Sequence, residues 1–260
     1  MSHHKCLNCE ATIHGKFCAN CGQKADTHRI TLKHFVLHDL LHGIWHLEKG
    51  ILFTLKETFK RPGQAALDYI SGKRIRYYNV FYLCLLVIGL NLLLVHYYNS
   101  MISEQYEFKD ETPQVTDFFK AHLKFILLSI VPILAINAGL VFRRLKLNLA
   151  EHFILSGISL LGILIISMFF SFFDFINFLD FTSRWEIFSV FAFLEVFAFF
   201  VMFLFPIWSY YDATRNDYTF WQFVWRIAMF YVLVLLQLAL ILSIIILILT
   251  HGKGNFSINV

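Results

Sequence analysis

Residues 233–249 read LVLLQLALILSIIILIL, a run that only Gln237 and Ser243 interrupt. Extended back to residue 225 it covers 25 residues, and an α-helix of that length, rising about 1.5 Å per residue, crosses the ~30 Å hydrocarbon core of a bilayer. A membrane β-strand would alternate apolar and polar over about ten residues, whereas this run is apolar on all sides. It predicts a helical span, and four more runs repeat the pattern, at 80–98, 121–142, 151–173 and 187–210. Composition points the same way. Of 260 residues, 58% are hydrophobic and 15% charged, with 30 Phe, where soluble domains carry roughly a quarter charged residues. The expected fold is an all-α polytopic membrane protein with five transmembrane helices over 80–250 and a short external tail at 251–260.

Orientation follows from the basic residues, which are retained on the cytoplasmic side near helix ends. Residues 1–79 hold twelve of the 22 Lys and Arg. The segment after the first span has Lys109 and Lys120 beside five acids, and the next has Arg143, Arg144 and Lys146. Arg184 follows alone, then Arg215 with Arg226 nearby, then Lys253. This alternation predicts a cytoplasmic amino terminus and an external carboxyl terminus. No apolar run before residue 80 is long enough for a signal peptide, so the first 79 residues are expected to stay where they are made. Their net charge is +6 against −2 for the rest, which places attraction to anionic lipid at the front of the chain.

Four of the five cysteines lie in Cys6-Leu-Asn-Cys9 and Cys18-Ala-Asn-Cys21. Two tight turns that each offer a pair of thiolates close a tetrahedral sulfur cage, so residues 1–28 are expected to form a zinc ribbon. Two disulfides or a redox pair are the alternatives, and a reduced cytoplasm favours thiolates. Gly15 suits a hairpin tip, Phe17 is expected beneath the site, and Gly22 lets the backbone wrap the second turn. Four thiolates complete zinc's coordination, so the metal is expected to be structural. Cys84 reads as an apolar filler in the first span.

From Thr31 to Lys60 the pattern is amphipathic: Leu32, Val36, Leu40, Ile44, Leu47, Ile51 and Leu55 recur at helical steps, with Lys49, Lys56 and Lys60 opposite. The segment predicts an interfacial helix. His34, His38, His42 and His46 stand at four-residue intervals along it. Such a row either lies at the boundary of the two faces, titrates as a pH-sensitive surface, or gives a second metal pair; its drift around the helix prevents all four from meeting one ion. Arg61-Pro62-Gly63 breaks the helix, and residues 64–70 predict a short one ending at Gly72. Lys73, Arg74 and Arg76, with Tyr77 and Tyr78, precede the first span as a topology anchor or as ligands for anionic lipid headgroups.

The ribbon ending in Cys21-Gly22-Gln23 is followed by Arg29-Ile30-Thr31, the histidines at 38, 42 and 46, Glu48-Lys49-Gly50, Thr54, Arg61-Pro62-Gly63 and Tyr69-Ile-Ser-Gly-Lys-Arg74. Over residues 6–83 this series resembles the bacterial membrane proteins grouped as domain of unknown function 3667. The resemblance implies a zinc ribbon joined to a polytopic membrane domain, and it implies no activity.

Within the spans Glu195 is the conspicuous group, since a carboxylate there costs several kcal/mol unless protonated or paired. Gln237 and Asn91 are its expected partners, with Asn137 nearer the cytoplasm. Ser156, Ser159, Ser167 and Ser171 predict close approach of a neighbouring helix, and Pro132 a kink in the second span. No HExxH, GxSxG or phosphate-binding loop occurs. Glu151, His152 and Asp212 stand near helix ends without a recognisable constellation. The expected function is a non-enzymatic scaffold whose ribbon and amphipathic helix recruit a cytoplasmic protein partner or sense the inner leaflet; the alternative is a transporter or channel working through Glu195. Self-association is left open. Residues 1–30 carry too slight a basic excess for nucleic-acid binding.

Overall fold

The computed structural model of the chain describes residues 4–25, 50–105, 129–180 and 185–249. Strands β1 (His4–Lys5) and β2 (Thr12–Ile13) pair antiparallel. Among the described residues seven α-helices follow: α1 (Gly50–Lys60), α2 (Pro62–Ile70), α3 (Val80–Gln105), α4 (Ser129–Val141), α5 (Leu149–Asp180), α6 (Trp185–Thr214) and α7 (Phe220–Leu249). Among the described residues four stretches are long and apolar enough to cross a membrane: Arg74–Tyr98, Leu149–Phe173, Val196–Thr214 and Phe220–Ile245. The protein is therefore an integral membrane protein by length and composition of its helices. Of the expected span 121–142 only the shorter apolar helix Ser129–Val141, which contains Pro132, lies within the described residues. The helix expected from Thr31 is described only as α1.

α5 is the centre of the bundle. Of its apolar window 61% is buried, against 17% for α7, because α3 packs along one side of α5, α6 along another, and α2 lies across the ends of α5 and α6. Ile154, Leu155, Ile158, Leu160 and Leu161 fill the core. At the α2 end an aromatic cluster joins α6 and α7 to the residue that follows α4: Phe142 stacks on Tyr210 at 5.3 Å, and Phe230 lies 5.0 Å from Tyr210. Such pairs add to the area they bury.

Sequence chemistry fixes the helix ends. Pro62 opens α2, where a missing N–H costs nothing. Asn148 and Glu151 form a reciprocal cap at α5: the Glu151 amide donates to Asn148 Oδ1 (3.0 Å) and the Asn148 amide to Glu151 Oε2 (2.8 Å). The serines of α5 do more than allow close approach. Ser156 bonds Tyr210 Oη at 2.9 Å and Ser159 bonds Ser209 at 2.8 Å, tying α5 to α6. Ser167 and Ser171 bond Asn91 of α3.

Candidate metal centre and its seat on the membrane domain

The two cysteine turns are built alike. In the first, the Cys6 amide donates to Ala11 O and the Glu10 amide to Cys6 O; in the second, Cys18 donates to Gln23 O and Gly22 to Cys18 O, all at 2.8–2.9 Å. Each turn needs a residue with positive φ after its second cysteine, and these are Glu10 (φ 62°) and Gly22 (φ 76°). Gly15 lies in the bend between the two turns, not at a tip, and Phe17 is 61% exposed instead of lying under the site. Asn8 and Gln23, beside the cysteines, are buried instead.

The four Sγ atoms lie within 4.8 Å of one another, with Cys6 and Cys21 at 3.5 Å and Cys9 and Cys18 at 3.6 Å. All four cysteines are free of disulfides. Metal–sulfur bonds of about 2.3 Å in a tetrahedron require S–S separations near 3.8 Å, so the cage fits a tetrahedral metal ion. Crossed hydrogen bonds support it. The Asn8 side chain donates to Cys21 and, with the Gln23 amide and against burial, lowers that thiol to about 6. The Ala11 amide and the Asn20 side chain lower Cys9, while burial pushes Cys6 up to about 11. Amide donors of this kind favour the thiolates that a metal requires.

The cage is seated on the turn before α3. Gln23 Nε2 donates to Gly72 O at 2.6 Å in a buried contact, and Arg76 Nη2 donates to Asn8 O at 3.1 Å. Gly72 has φ +105°, and a Cβ there would lie 2.6 Å from Leu7 Cδ1. Both knuckles thus touch one turn through residues beside their cysteines.

Behind that turn runs an ion network. Arg61 bonds Glu57 and meets Asp68 at 3.0 Å; Lys73 donates to Asp68 at 2.7 Å. Burial opposes the Asp68 charge, but the Lys73 hydrogen bond and the Lys73 and Arg61 charges hold the carboxyl below its ordinary value. Burial likewise opposes the Arg61 charge, and the Glu57 bond more than offsets it. Two of the expected lipid ligands therefore face protein: Lys73 is held by Asp68, and Arg74 lies 5.9 Å over the Tyr69 ring. Arg76 is exposed while bonded to Asn8.

The inward face of α1 differs from the predicted apolar stripe. Ile51 and Leu55 are half-buried, whereas Thr54, Glu57 and Thr58 are buried, and the Tyr78 amide donates to Thr54 Oγ1 at 2.8 Å. Gly50 and Gly63 face backbone: an added Cβ would lie 2.9 Å from Tyr78 N and 2.1 Å from Ala213 N. Beside Gly63, the Gln64 amide donates to Asp212 Oδ2 at 2.8 Å and its side chain to Asp212 O at 2.7 Å. Sequence reading does not mark Gln23, Asp68 or Asp212 as site residues; the Asp68 and Lys73 spacing around a glycine turn is the signal that points to them.

Among the described residues, three of the intramembrane polar residues have side-chain partners. Asn137 and Gln237 exchange side-chain hydrogen bonds at 2.9 and 3.2 Å, and Asn91 is bonded to Ser167 and Ser171. The partners expected for Glu195 are thus engaged with other groups. Glu195 belongs to α6, and its side chain lies outside the described residues, as do His34, His38, His42 and His46. Glu151 is spent in a helix cap, and Asp212 holds α2.

A sequence profile of the family described as protein of unknown function (DUF3667) matches residues 48–89, the segment that forms α1, α2, the glycine turn and the first part of α3. It is the family that the motifs resemble. No curated protein and no solved structure matches the chain.

Proposed function

We propose that this chain, matched to that family over residues 48–89, is a non-enzymatic integral membrane scaffold. In this reading it crosses the bacterial inner membrane five times with a cytoplasmic amino terminus. Zinc closes the four-cysteine cage, and the ribbon with the amphipathic helix recruits a protein partner or reads the inner leaflet. The observation that carries the reading is a four-sulfur cage whose own turn residues bond the membrane domain. Four sulfurs leave a zinc ion no open position for substrate or water, so Cys6, Cys9, Cys18 and Cys21 would hold it as a fold-forming centre. The exposed ring of Phe17 offers an apolar anchor of the kind that fills a partner's pocket.

The test is the metal content of the detergent-purified protein, wild type beside Cys18→Ser/Cys21→Ser, with a pull-down from native membranes for each. The expected result is about one zinc per chain, lost in the variant together with a bound partner. A protein without zinc overturns the reading, and zinc with an unchanged partner list moves the function to the spans and Glu195.

A further inference from the structure

At the turn between α6 and α7 the protein gathers positive charge that no described carboxylate meets. Arg144 lies 5.1 Å and Arg226 4.5 Å from the centroid of the same ring, Tyr218. That ring is fixed: Tyr218 is 7% exposed, and its hydroxyl accepts the Arg144 backbone amide at 2.9 Å. Arg144 Nη1 donates to Asp217 O and Gln222 Oε1, and Arg226 Nη1 to Gln222 O. All these acceptors are neutral. Three other cations at this end do meet carboxylates: Arg61 and Lys73 share Asp68, and Arg215 has Asp212 at 3.8 Å. A guanidinium carries five N–H donors, so each of the two keeps donors that these bonds do not use.

The surroundings set the depth and the ligand. Arg226 is half-buried and stands six residues beyond Phe220, the first residue of apolar α7, or about 9 Å along the helix. Trp221 and Trp225, 78% and 71% exposed, flank it on the outer surface. Exposed tryptophans settle at headgroup level in a bilayer. On the side away from Arg226, Arg144 also borders an open pocket of about 550 Å³ lined by Arg215, Asp217, Thr219 and Gln222. Arg144 is exposed and Arg226 half-buried, and two like charges on one ring repel each other, a repulsion that a bound anion relieves. The complementary group is a phosphate oxyanion, which guanidinium binds through paired hydrogen bonds.

We infer that Arg144 and Arg226, set on Tyr218, bind the phosphate of an anionic phospholipid in the leaflet on the ribbon side of the bundle. The site is separate from the cations before α3 and does not depend on what the ribbon binds. Phosphatidylglycerol is the probe, titrated into the full chain in detergent and read by native mass spectrometry beside phosphatidylcholine and inorganic phosphate. Wild type is expected to retain phosphatidylglycerol, and Arg144→Gln/Arg226→Gln to bind it about tenfold more weakly. Arg143→Gln/Lys146→Gln, which removes the same charge from the neighbouring turn, is expected to lose less than about twofold. Equal loss in both variants means diffuse attraction and overturns the site, as does equal retention of phosphatidylcholine. Displacement of the lipid by millimolar inorganic phosphate reassigns the site to a soluble phosphate ligand and overturns the lipid reading. If the double variant does not fold, Arg226→Lys keeps the charge and loses the fork, and unchanged lipid binding in it overturns the proposal.

Discussion

The platform around residues 50–78 and the far halves of α6 and α7 are both built on apolar helices, yet they are held in opposite ways. On the platform, glycines face backbone and nearly every polar side chain has a named partner. In the far halves, Phe199 is 65% and Leu240 61% exposed, and Gly89 on α3 has nothing within 4 Å of its missing Cβ. Lipid is as apolar as a leucine side chain, so burying more leucine brings helices together weakly in a membrane; close backbone approach and hydrogen bonds specify the packing. The platform is where this chain spends its specific contacts, and the far halves need only be apolar.

The largest effect expected from breaking this contrast is metal removal. Structural zinc contributes on the order of 10 kcal/mol to small thiolate modules, so chelation is expected to unfold the ribbon and release Gly72 and Arg76. Hydrogen exchange checks it: amides of 4–25 and 71–76 should lose protection while those of 196–245 keep theirs. Loss of protection throughout would mean that the ribbon holds the whole bundle together.

Next comes Gly63→Ala. The new Cβ would sit 2.1 Å from Ala213 N and 2.4 Å from Ser209 O, and backbone on both sides cannot give. The expected cost is about 3 kcal/mol, the upper part of the usual overpacking range, read as a lower thermal midpoint in detergent. Gly89→Ala is its counterpart in the loosely held half. With open space around it, that change should be neutral or stabilise by up to ~1 kcal/mol through helix propensity.

Asp68→Asn should cost about 1–2 kcal/mol, because Arg61 and Lys73 lose a shared carboxylate that is 19% exposed. The pH dependence has a fixed sign. The folded value of Asp68 is depressed, so its contribution is complete above the ordinary carboxylate value near 3.9 and drains as pH falls through the folded value. Wild type and variant should therefore converge in acid. A gap that persists there would assign the effect to packing.

Much of the platform is legible in the sequence, and the reasons are local. Spacing alone gives the four-cysteine cage, and Pro62-Gly63 marks the break between α1 and α2. What spacing does not carry is the contact between Gln23 and Gly72, 49 residues apart, which exists only once the helices have assembled. The pairing of Asn137 with Gln237 is hidden for a different reason. A helix that is apolar all round, as α6 and α7 are, has no polar face to report its rotation. Depth alone therefore matches Gln237 with Glu195, whereas the geometry matches it with Asn137. Phe17 misleads because its spacing beside Cys18 does not say which way its ring turns, and the ring is exposed while Asn8 and Gln23 are buried.

The smallest test asks whether the close fit of the platform extends into the four-cysteine cage seated on it. The two turns have the same hydrogen bonds and the same positive φ after the second cysteine, but one uses Gly22 and the other Glu10. A residue with a Cβ in the left-handed region costs roughly 1 kcal/mol relative to glycine. Part of that cost is offset because glycine also gives the unfolded chain more freedom to lose. Glu10→Gly should therefore stabilise the ribbon by about 0.5 kcal/mol or less, and Gly22→Ala should destabilise it by about 1 kcal/mol. Competition with a metal chelator reads both, since a better-formed cage holds its ion at higher chelator concentration. Opposite shifts would mean that the turns are equivalent in energy as well as in shape. If Glu10→Gly instead weakens metal retention, the Glu10 side chain contributes to the first turn in a way that its backbone angle does not reveal.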